Sequence, residues 1–117
     1  MSKKNIVLMK YLEDEFNNVS YCTSFKVRAI LIDFLLNENK EKRFNTLKGY
    51  MNAILDFDCY LKFVNKNWNE VIEQDLFLYS EILKKVGIET RGIKLRVNYI
   101  RSFLKYYESN KFKKKFL

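Results

Sequence analysis

The chain has 117 residues and a formal net charge of +8, from 22 basic and 14 acidic residues with no histidine. Hydrophobic residues make up 48% of it and aromatics 16%, enough for one domain with a packed core, which excludes global disorder. There is no proline, and Gly49, Gly87 and Gly92 are the only glycines. Sandwiches and barrels need turn residues at every hairpin, so the composition points to an all-α fold with short polar loops.

Apolar spacing predicts five helices. The first runs from about Asn5 to Asn18, with Leu8, Leu12, Phe16 and Val19 one turn apart, and reads as an extension of the core. Tyr21 to Thr23 form a loop, and Thr23 or Ser24 caps a second helix from about Phe25 to Leu36. Its broad stripe of Val27, Ile30, Leu31, Phe34 and Leu35 calls for burial on more than one side. After a polar connection, Asn45 caps a third helix that runs to about Val64 on Leu47, Tyr50, Met51, Ile54, Phe57, Leu61 and Val64. Trp68 plugs the edge of the core beside the following loop. Asp75 caps a fourth helix on Leu76, Tyr79, Ile82, Leu83 and Val86, and Gly87 stops it because glycine tolerates positive φ. The fifth runs from Thr90 to about Ser109 on Ile93, Val97, Ile100, Leu104 and Tyr107.

The charge is polarised. From Gly87 onward there are nine basic residues and two acidic ones, so nearly all the excess lies in the last quarter of the chain. On the fifth helix Lys94, Asn98, Arg101 and Lys105 share a face about 100° from the apolar stripe, and Arg91 extends it by one turn. A cationic row with so little counter-charge points to a polyanion, either nucleic acid or an acidic membrane surface.

Chemistry of other kinds finds little support. Cys22 and Cys59 stand in no metal or redox spacing, and Cys59 fits a small core position. Asp56 with Asp58, and Glu70 with Glu73, are carboxylate pairs expected on solvated helix surfaces. There is no phosphate-binding glycine loop and no Ser/His/Asp set, so no enzyme activity, cofactor or metal is implied. The cysteine usage points to a reducing cytoplasm, and no secretory leader or membrane span is evident.

Three stretches resemble the N-terminal core-binding (SAM-like) domain of tyrosine recombinases, the phage integrase family. They are Ile30-Leu31-Ile32-Asp33-Phe34-Leu35; Asn45-Thr46-Leu47-Lys48-Gly49-Tyr50 continuing to Leu55-Asp56-Phe57 and Tyr60-Leu61; and Gly87-Ile88 with Ile93, Arg96, Ile100-Arg101-Ser102-Phe103 and Tyr106. Asp75-Leu76 with Tyr79 and Leu83 suits the family's third helix. Gly92 departs from the family, which often has Thr or Ser there.

The resemblance implies a four-helix core-binding bundle over residues 25–109. An N-terminal helical extension (1–24) would precede it, and a basic tail (110–117) would follow. It implies double-stranded DNA as partner, with other recombinase protomers alongside. The second and fourth family helices face DNA, which nominates Asn45, Thr46 and Lys48 on one and Arg91, Lys94, Asn98, Arg101 and Lys105 on the other. Arg96 matches a basic family position but sits nearer the apolar face, where an acid could pair with it. Asn45 and Thr46 could equally serve as helix caps. The family's catalytic histidine is missing and the chain stops where the family's linker to its catalytic domain would begin, so the expectation is binding without cleavage. This fits the N-terminal part of an integrase or a free-standing binder. Two other readings stand beside it. One is a helical protein-interaction module with a basic docking face. The other is a peripheral membrane protein using Lys111 to Lys115 with Phe112, Phe116 and Leu117.

Overall fold

The computed structural model describes residues 24–109 together with Val7, Lys10 and Asp14, and these form an all-α bundle. Val7, Lys10 and Asp14 are helical and exposed. Leu8, Leu12, Phe16, Val19, Cys22, Thr23 and the 110–117 tail lie outside the described residues. The bundle comprises α1 (Phe25–Asp33), α2 (Phe44–Phe63), α3 (Glu73–Lys85) and α4 (Thr90–Glu108). No described helix is long and apolar enough to cross a membrane.

Ser24 starts α1. Its backbone is extended, and its Oγ accepts from the Val27 N–H at 3.3 Å. The helix does not continue regularly to Leu36 as its spacing suggested. After Asp33 it widens into a π turn, Phe34–Glu38. Asn39 closes that turn with two donors, its N–H (3.0 Å) and its Nδ2 (2.9 Å), both on the Phe34 carbonyl. Phe34 and Leu35 remain in the core.

The start of α2 differs from expectation too. Arg43 is the N-cap residue, and Asn45 lies exposed in the first turn. The helix starts two residues earlier because Phe44 packs against the core, which outweighs the missing side-chain cap. At its other end Asn65 takes a positive φ of 60°. The Lys66 N–H reaches the Leu61 carbonyl (2.8 Å) and the Asn65 N–H reaches that of Lys62 (3.1 Å). This is a left-handed helix stop for which asparagine is the best substitute for glycine.

Asp75 was expected to cap α3. The cap position belongs to Ile72, and Asp75 sits in the first turn, where its buried carboxylate accepts from the Ile72 N–H (2.9 Å) and from Lys66 Nζ (2.9 and 3.0 Å). Burial pushes this carboxyl up, but the Ile72 bond and the Lys66 ammonium outweigh it and hold it below its ordinary value. A depressed carboxylate contributes stability above its unfolded pKa of about 3.9, and that contribution is lost as pH falls through the folded value. Thermal melts from pH 7 to pH 2 should therefore show Asp75→Asn less stable at pH 7. Its stability should also depend less on pH below about pH 4 than the wild type's. Parallel curves would remove Asp75 from the acid response.

Gly87 ends α3 as expected. Its φ is 94°, the Ile88 N–H bonds the Leu83 carbonyl (3.0 Å) and the Gly87 N–H bonds that of Lys84 (3.1 Å). A Cβ there would meet nothing within 4 Å, so the cost of Gly87→Ala is in the backbone alone. It should lower stability by about 1 kcal/mol, read from urea denaturation.

Aromatic contacts join the π turn after α1 to α2, α3 and α4 in the core. Phe103 is fully buried and meets Phe34 (centroids 5.3 Å apart) and Trp68 (4.9 Å) edge-on. Trp68 opens a short 3-10 turn, Trp68–Glu70, and plugs the core as predicted. Its Nε1 donates to Asp58 Oδ1 at 2.9 Å, so Asp58 is a buried structural acid and not the solvated one expected. Cys59 is half-buried rather than in the core.

Two helix stripes are also rotated from expectation. On α4 the buried set is Ile93, Val97, Ile100, Phe103 and Tyr106, with Leu104 and Tyr107 at its margin. Ile82 on α3 is exposed, as are Val86 after α3 and Val64 after α2. A helix packed between two neighbours buries a wider and rotated arc than one stripe describes.

Candidate nucleic-acid interface

Helix α4 carries the candidate surface. Its α2-facing and α3-facing sides are buried, which leaves one long exposed side. Arg91, Lys94, Asn98, Arg101 and Lys105 are all exposed there. From Arg91 to Lys105 the row spans ~21 Å at the α-helical rise. That is about six base-pair steps at the 3.4 Å spacing of a DNA strand.

Arg96 does not belong to this row. It lies roughly 160° around the helix from Lys94, by the α-helical repeat. Its Nη1 stands 3.8 Å from Asp56 Oδ2 on α2, the acid pairing that its place near the apolar face suggested. The Tyr79 hydroxyl of α3 donates to the same Asp56 oxygen. Burial and the Asp56 carboxylate together push the Tyr79 phenol well up. Asp56, Tyr79 and Arg96 thus tie α2, α3 and α4 together, which gives Arg96 a structural task.

Arg101 is exposed but not bare. Its Nη2 donates to Glu73 Oε2 at 2.8 Å, from the first turn of α3. The expectation of a face almost without counter-charge therefore fails at this residue. Among the described residues, no acid lies at ion-pair distance from Arg91, Lys94 or Lys105.

The row borders two open clefts between α3 and α4. The first, of about 350 Å³, is lined by Ser80, Ile93, Lys94, Val97, Asn98 and Arg101. The second, of about 280 Å³, holds the acids Glu73 and Glu108 with Arg101 and Lys105. Arg101 lines both. The α3 contribution, Glu73 and Ser80, was not anticipated. Their spacing of seven residues, two helical turns, puts both on one face of α3 but does not point to α4.

Among the residues nominated on α2, Asn45 is exposed and Thr46 and Lys48 are half-buried. Lys48 Nζ lies 5.5 Å above the Phe44 ring. The start of α2 approaches α4 at Gly49, where a Cβ would stand 3.0 Å from the Tyr99 ring. Tyr99 also packs on Tyr50, centroids 4.3 Å apart. The absent side chain at Gly49 is what lets Tyr99, the neighbour of Asn98, lie across α2.

No protein-family model, curated protein or solved structure compared with the chain matches it.

Proposed function

We propose that the chain is the DNA-binding domain of a tyrosine recombinase or integrase-like protein, acting in the cytoplasm. It would hold double-stranded DNA at a recombination half-site beside other protomers, without cutting it. The observation that carries this reading is the exposed row on α4, where Arg91, Lys94 and Lys105 have no acid partner among the described residues. Like charges in a row on one helix repel, and phosphates relieve that repulsion while releasing counterions. An α-helix fits the major groove, where Asn98 on the same face could reach a base edge. The chain has no histidine for the proton transfers of strand cleavage. Buried Tyr50, Tyr79 and Tyr106 serve packing. Fluorescence anisotropy of a labelled duplex across a salt series tests the reading. Affinity should fall steeply with salt, whereas absence of binding at low salt by a folded helical protein rejects it.

A helical protein-interaction module is the second reading, and one observation favours it. Leu78 and Ile82 on α3 and Val86, its C-cap, form an exposed apolar stripe at i, i+4 and i+8, with exposures of 43%, 44% and 68%. Stoichiometric capture of a protein partner without retention on DNA would select it.

A further inference from the structure

Glu73 stands at an unusual place for an acid in a polyanion-binding surface. Of the exposed α4 cations, Arg101 is the one with an acid at ion-pair distance among the described residues. It is also the one shared by both α3–α4 clefts. On its upper side are Lys94, Asn98 and Ser80, with Ile93 and Val97 as floor and no acid. On its lower side are Glu73 and Glu108. The guanidinium is therefore drawn toward the acidic cleft and away from the basic one.

We infer that Glu73 is a built-in competitor for the phosphate that Arg101 would otherwise bind, so that the α3–α4 groove takes a polyanion fully only when this ion pair opens; the inference rests on the duplex-binding reading. The pair is built to open. The side chains of Arg101 and Glu73 are 46% and 77% exposed, and an exposed pair of this kind adds little to stability. One guanidinium nitrogen reaches one carboxylate oxygen, whereas a phosphate can engage the planar fork through two. Once released, Arg101 stands beside Lys94 and Asn98 on one cleft wall, a cluster suited to a single backbone phosphate. Glu73 thus sets a threshold: weak or sparse anions do not displace it, and a duplex presenting several phosphates to the α4 row does.

The competing account is that Glu73 serves only the positive end of the α3 dipole, being in its first turn. Duplex binding by Glu73→Gln, Arg101→Ala and the double variant separates the two. Glu81→Gln is the control, since it removes the same charge elsewhere on α3. Glu73→Gln should tighten binding about threefold to fivefold at low salt and steepen the salt slope by about 0.9. The gain should vanish in the Arg101→Ala background, and Glu81→Gln should stay within about twofold of wild type. Wild-type binding with no gain in Glu73→Gln overturns the inference and leaves the duplex-binding reading in place. So does a gain that survives without Arg101 or that Glu81→Gln equals. Failure of every variant and of the wild type to bind overturns both.

Discussion

Replacing Arg91 and Lys94 together by alanine should weaken duplex binding about a hundredfold at low salt, about tenfold for each charge-assisted bond lost. The slope of log affinity against log salt should become shallower by about 2, one counterion for each phosphate no longer neutralised. These two are chosen over Arg101 because neither has an acid partner among the described residues, so their removal strands no charge there. Both side chains are exposed and alanine favours a helix, so helicity and melting temperature should hold. An unchanged salt slope would mean that the row does not meet phosphates.

Trp68→Ala should cost about 3–5 kcal/mol in urea denaturation followed by circular dichroism. That is a large share of the roughly 5–15 kcal/mol that holds a domain together. Trp68 is 2% exposed and meets Phe57 and Phe103 edge-on, at 5.3 and 4.9 Å between centroids. Its loss leaves a cavity where α2 and α4 meet, and it removes the N–H that Asp58 accepts. Trp68→Phe separates the two contributions. It keeps most of the ring contact and should cost about 1–3 kcal/mol, the share of a buried acceptor deprived of its donor. Tryptophan fluorescence cannot follow these variants, because Trp68 is the chain's single tryptophan. A loss below about 1 kcal/mol for Trp68→Ala would mean that the core closes without it.

Local chemistry is what made parts of this fold readable. Ser24 and Gly87 act through bonds within one turn of their own helices, and both do what their residue types predict. Trp68 and the acid partner of Arg96 were also legible, because a large ring beside a loop and a cation near an apolar stripe each have few stable outcomes. Contacts between helices were not. Phe103 and Tyr106 are buried because α4 is packed on both sides, a condition that its own periodicity does not contain. Asp58 looked like a surface acid until Trp68, ten residues on, came to lie over it. At the candidate interface the exposed row on α4 follows its sequence spacing, whereas Glu73 meets Arg101 across 28 residues of chain, which spacing along one helix cannot reveal. Asn45 and Asp75 show a further limit. Each was a good cap by type, but burial of Phe44 and the Lys66 ion pair set the helix starts elsewhere.

The most direct test of the central claim is a titration of the 15N-labelled protein with a short duplex, followed by amide chemical shifts. The account predicts salt-sensitive shifts concentrated at Arg91, Lys94, Asn98 and Lys105, with the α3 stripe of Leu78, Ile82 and the C-cap Val86 unmoved. Shifts confined to that α3 stripe, or none at low salt, would contradict it.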